Sequence, residues 1–60
     1  MTKSDYITIA DIIIELNTND YISPMVTHTI SETFTKKLKQ DDDKFDVVKF
    51  IEYIKERLWI

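Results

Sequence analysis

No glycine occurs anywhere in this sequence, and that absence constrains the fold more than any residue that is present. Tight I′ and II′ hairpins need residues that accept positive φ, so strand reversals here would rest on Asn and Asp alone. Isoleucine, valine and threonine make up a third of the chain, which pulls toward strands. The stronger local pattern is helical. Between Asp46 and Trp59, the side chains of Val47, Phe50, Ile51, Ile54 and Leu58 fall within a stripe about 100° wide at helical pitch. Asp46 is placed to cap this helix, and Phe45 before it can staple onto Phe50. Asp41, Asp42 and Asp43 lie ahead of its positive pole, with Lys55 and Arg57 near its negative one.

Sixty residues make one domain, expected to span 1–60. A chain of this size buries only about 60% of the surface it exposes when unfolded, so its core needs supplementing. There is no cysteine and a single histidine, which excludes disulfides, thiolate metal sites and a His-rich zinc site. Good helix packing, self-association or a tight protein partner is left as the supplement, with the last two favoured. The net charge of −3 argues against a general nucleic-acid binder, which needs a basic face. Asp5 and Asp11 interrupt the first apolar run, so neither a signal peptide nor a membrane span is expected. The expectation is a cytoplasmic, complete small gene product that does not engage a membrane.

Along the chain, Thr8 reads as an N-cap with Asp11 completing an acidic capping box, and Ile7 and Ile12 are spaced to staple. Ile9, Ile12, Ile13 and Leu16 share one narrow face. The pattern predicts a helix over 8–17; a strand over Tyr6 to Ile9 is the competing reading. Asn17 to Asp20 is a loop by composition. Ser23-Pro24 is the clearest start signal, a serine cap followed by proline at the first helical position. Val26, Ile30, Phe34 and Leu38 then recur every four residues as a helical ridge, although Thr27, Thr29, Ser31, Thr33 and Thr35 alternate as in a strand. A helix over 24–38 is favoured, because a strand here would have no partner and no turn signal.

Catalysis is not expected. His28 lies between threonines beside a face set by Val26 and Ile30, the place of a surface residue rather than a general base. No nucleophile motif or phosphate-cradling loop is present. Asp41, Asp43 and Glu52 fit positions one, three and twelve of an EF-hand loop, but Phe45, Asp46 and Lys49 contradict it at five, six and nine. No metal and no cofactor are expected.

The run Ile7-Thr8-Ile9-Ala10-Asp11, a second helix opened by Ser23, and Lys44-Phe45-Asp46 leading into Phe50-Ile51-Glu52-Tyr53-Ile54 together resemble the small excisionase-type winged-helix domains of mobile elements. The resemblance covers most of the chain. It implies a second helix in the DNA major groove and a hairpin wing over Lys36 to Lys44. The turn glycine, second-helix arginines and basic wing of such domains are absent, and Asp41-Asp42-Asp43 at the wing tip would repel phosphate.

The features left over point to protein contact. On the last helix Val48 and Trp59 lie on one flank of the core stripe, and Tyr53 and Ile60 lie on the other. Aromatics so placed are typical interface anchors. The expectation is an all-α three-helix domain (8–17, 24–38, 46–59), with an irregular or β-like segment around 34–45 as the variant. Its role would be that of a non-catalytic interaction protein that self-associates or modulates a macromolecular partner through Val48, Tyr53, Trp59 and Ile60. Small, acidic, cysteine-free chains of this kind are common among bacteriophage and mobile-element regulators and inhibitors; the winged-helix DNA binder is the alternative.

Overall fold

The computed structural model describes residues 2–58, and these form three helices: α1 over Lys3–Thr18, α2 over Pro24–Asp41 and α3 over Val47–Leu58. The all-α three-helix reading holds. The β-like variant around 34–45 does not, because α2 runs helical to Asp41.

α1 begins five residues before the expected start. The chain carries two Thr-x-x-Asp signatures, at Thr2–Asp5 and Thr8–Asp11, and the first is used. The Asp5 N–H donates to the Thr2 hydroxyl at 3.3 Å, and the Thr2 N–H donates to the Asp5 carboxylate at 2.9 Å. This reciprocal box satisfies two donors that the first turn leaves free. Thr8 sits inside the helix, its hydroxyl donating to the Ser4 carbonyl at 3.0 Å. The earlier start places Tyr6 where its ring meets Phe45, centroids 4.5 Å apart, a contact invisible to local pattern. Tyr6 to Ile9 is helix, so the competing strand is excluded.

At its other end α1 closes without glycine. Tyr21 N–H donates to the Leu16 carbonyl and Asp20 N–H to the Asn17 carbonyl, both at 3.0 Å, the paired bonds of a Schellman ending. The position that needs a left-handed residue is held by Asp20, with φ of 62°. Aspartate tolerates that region better than most side chains.

α2 starts as its Ser23-Pro24 signal predicts, the Ser23 hydroxyl accepting the Val26 N–H at 3.2 Å. It ends three residues beyond Leu38, where the Asp42 N–H donates to the Leu38 carbonyl at 2.9 Å. Asp41 and Asp42 therefore lie at the negative pole of α2 rather than serving only the positive pole of α3. That placement is unfavourable for a carboxylate. Asp42 is compensated by the Tyr6 hydroxyl at 2.8 Å and the Lys44 N–H at 3.0 Å. α3 is capped as expected, with the Lys49 N–H donating to the Asp46 carboxylate at 3.0 Å. The Phe45 ring packs edge-on against Phe50 at 5.3 Å.

Pairwise contacts set the topology. Tyr6 meets Phe45, and the Tyr53 hydroxyl donates to Asp11 at 2.7 Å, so α1 and α3 run parallel and share the largest interface. Asn17 pairs with Thr27, and Tyr6 with Asp42, so α2 runs antiparallel to α1. Ala10, Ile13, Leu38, Phe45, Phe50 and Ile54 form the core.

α2 reverses the sequence expectation about which side faces inward. Thr27, Ser31 and Thr35 are buried with Leu38, whereas Val26 and Phe34 are exposed and Ile30 is half-buried. On α1, Ile12 is likewise exposed and Ala10 is buried in its place. The hydroxyls can be buried because each finds an acceptor. Thr27 donates to the Ser23 carbonyl, Ser31 to Thr27 and Thr35 to Glu32, at 2.7 to 2.8 Å. Thr27 also accepts the Asn17 amide at 2.7 Å. No buried side-chain N or O atom lacks a partner among the described residues, so the desolvation penalty of this face is largely offset.

Candidate interaction surfaces

Two grooves of about 420 and 410 Å³ flank the bundle. The first lies between α1, the 44–46 turn and α3. Ala10, Phe45 and Phe50 form its floor, Tyr6, Ile7 and Tyr53 its walls, and Lys3, Lys44 and Lys49 its rim, with Asp46 at one edge. The second lies between α2 and α3, with Val47, Ile51 and Ile54 beneath Lys36, Lys55 and His28. His28 is a surface residue whose Nε2 stands 3.0 Å from Glu32, an intrahelical pair. No group of three or more His, Cys, Asp or Glu among the described residues is arranged to hold a metal ion.

These grooves also orient the helices. His28, Glu32 and Lys36 face the α3 side of α2, so Val26, Ile30 and Phe34 face the other side, toward α1. Lys3, Ile7 and Ala10 face the α3 side of α1, leaving Ile9, Ile12 and Leu16 toward α2. The Asn17–Thr27 and Tyr6–Asp42 bonds bring Ile12 to the level of the Ile30–Phe34 turn of the antiparallel partner. An apolar strip results on the α1–α2 side, its most exposed members being Ile12 at 52%, Val26 at 43% and Phe34 at 40%. Met25, at 79%, lies at the loop end. Sequence reasoning placed Ile12, Val26 and Phe34 in the core and so missed this surface. Its only local signal was the alternation of threonines with the apolar ridge.

Of the four interface residues expected from sequence, Val48 is exposed at 64%, on the α2-facing flank beside Lys55. Tyr53 is half-buried on the opposite flank, about 140° around the helix. Its hydroxyl donates to Asp11, which together with burial raises its pKa. The Arg57 guanidinium covers its ring at 3.5 Å from the centroid. Val48 and Tyr53 thus do not share one patch, and Tyr53 is engaged within the chain. Trp59 and Ile60 lie outside the described residues.

The hairpin wing implied over Lys36 to Lys44 is not formed, since helix occupies it to Asp41 and a capped turn follows. Nor do its lysines make a basic face. Lys37 projects about 100° from Lys36 and about 160° from Lys39, and the Lys39 ammonium is drawn back to the Asp43 and Phe45 carbonyls. No described helix is long and apolar enough to cross a membrane. No protein-family model matches the chain, and no curated protein or solved structure does.

Proposed function

We propose that this chain is a non-catalytic regulatory interaction protein that works as a self-associating unit, two copies covering each other's α1–α2 strip. The observation that supports this reading is the orientation of α2, which spends its interior face on hydroxyls and leaves Val26 and Phe34 exposed, as Ile12 is on α1. A chain with six buried apolar core residues among those described and no cysteine to form a disulfide gains disproportionately from a second copy. A two-fold dimer presents the same patch from both sides. The strip suits this, because Glu15 borders it on α1 and Lys37 on α2, opposite charges that a second copy can pair.

Sedimentation over a series from low micromolar to millimolar tests the reading. The weight-average mass is expected to climb from 7.2 kDa toward twice that value, and Phe34→Glu to hold it at the monomer. Val48→Glu, on α3 and away from the strip, should not. Dissociation by Val48→Glu alone would move the interface to the α3 flank. A monomer throughout, with thermal stability independent of concentration, would overturn self-association and leave the strip to a foreign protein.

A further inference from the structure

We infer that the groove between α1 and α3 is a binding site for a small amphipathic carboxylate, a single anionic head on an apolar body. At about 420 Å³ it lies within the size range of small-molecule sites. Its depth has a specific origin. Tyr6 and Phe45 meet at a tilt of 53° on one side and Tyr53 lines the groove as well, while the α1 residue at its bottom is Ala10, whose side chain ends at Cβ. A larger residue there would fill the hollow.

The polar chemistry around this apolar floor is one-sided. Lys3, Lys44 and Lys49 come from three separate elements, and none is within ion-pair distance of a carboxylate among the described residues. Lys44 does exert a through-space pull on Asp42, which faces away toward the Tyr6 hydroxyl. Asp46 is the one carboxylate lining the groove, and it is taken up in capping α3. Both tyrosine hydroxyls are spent outside the groove, on Asp42 and Asp11, so the walls offer rings rather than donors. In a chain of net charge −3, three ammonium groups against one engaged carboxylate is a local inversion of sign. The complement of that surface is an anion attached to an apolar tail. A neutral apolar molecule would leave the lysines unused, and a polyanion would leave Ile7 and the half-buried rings of Tyr6 and Tyr53 uncovered.

Amide-resolved NMR titration of the intact chain with decanoate, kept below its micelle concentration, tests this, with decanol as the uncharged control. Saturable shifts are expected around Ala10, Phe45 and Lys49, and decanol should bind more weakly. Replacing Lys3, Lys44 and Lys49 together by Gln should weaken decanoate about tenfold, the sum expected of three partly exposed charges, and leave decanol unchanged. Ala10→Leu should abolish both; should that variant fail to fold, the lysine variant still decides. Equal binding of the two probes, indifference to the lysine changes, or shifts centred on Ile12, Val26 and Phe34 would overturn the site. The last outcome would leave the α1–α2 strip reading intact.

Discussion

The Tyr6 hydroxyl donates to the Asp42 carboxylate at 2.8 Å across 36 residues of sequence, tying the second turn of α1 to the C-terminal end of α2. The bond holds the Asp42 pKa below its ordinary 3.8, with the Lys44 N–H as second cause. It also raises the Tyr6 pKa above its ordinary 10.0, with burial adding to the rise. The two shifts define a window. The lowered Asp42 pKa contributes stability above 3.8 that is lost as pH falls through the folded value. The raised Tyr6 pKa contributes stability below 10.0 that is lost as pH rises through the folded value. Tyr6→Phe should therefore lower the melting temperature throughout about pH 5 to 9, and the difference from the parent should shrink at both extremes. A difference that persists unchanged in strong acid would mean that the hydroxyl acts without Asp42.

The choice between the two Thr-x-x-Asp boxes is open to direct measurement. Thr2→Ala should cost about 1 kcal/mol as a lost N-cap, and Asp46→Ala a similar amount at α3. Thr8→Ala should fall within about 0.5 kcal/mol of the parent, because its hydroxyl only bonds back to a carbonyl already in the helix ladder. Urea midpoints of the three variants check the ranking. A large effect at Thr8 with none at Thr2 would return the start of α1 to residue 8.

The buried hydroxyl face predicts an asymmetry along α2. Thr27→Val keeps the volume but leaves the Asn17 amide without its acceptor, and should cost about 1–2 kcal/mol. Ser31→Leu places a large side chain at a buried position, and overpacking of about 1–3 kcal/mol follows. Were Thr-face residues instead solvent-exposed and the Val26 ridge buried, Ser31→Leu would be neutral and Val26→Ala costly. Chemical denaturation of these variants separates the two orientations.

Asp20 carries the left-handed turn that glycine would usually take, at φ of 62°. Asp20→Gly should raise stability by about 0.5 kcal/mol, the relief of backbone strain slightly exceeding the added freedom of the unfolded chain. Asp20→Val should lower it by more than 1 kcal/mol, roughly, since a β-branched residue resists positive φ. Thermal melts at one concentration are sufficient to order the three.

Several elements were legible without the fold because their signals are local and mutually consistent. The Ser23-Pro24 start, the Asp46 cap, the Phe45–Phe50 staple and the inward face of α3 all follow from neighbours within one or two turns. The α1 start was not legible, since two equivalent boxes compete and only Tyr6, by reaching Phe45 and Asp42, favours the earlier one. The candidate surfaces were less legible still. Val48 is read correctly as an outlying apolar residue, but Tyr53 finds Asp11 forty-two positions away, which no spacing rule reports.

The sequence by itself determined three helices, their punctuation and the polarity of the last one, because capping and periodicity act over a single turn. Only the tertiary structure decided which side of α2 is inside. Its apolar ridge and its hydroxyl stripe lie on adjoining faces that share Leu38, so hydropathy favours burying the ridge. The stripe can be buried instead because Thr27, Ser31 and Thr35 satisfy their own hydroxyls on carbonyls of the preceding turn. Which face is buried depends on how α2 docks against α1 and α3, which no run of residues contains, and the outcome leaves Val26 and Phe34 on the outside.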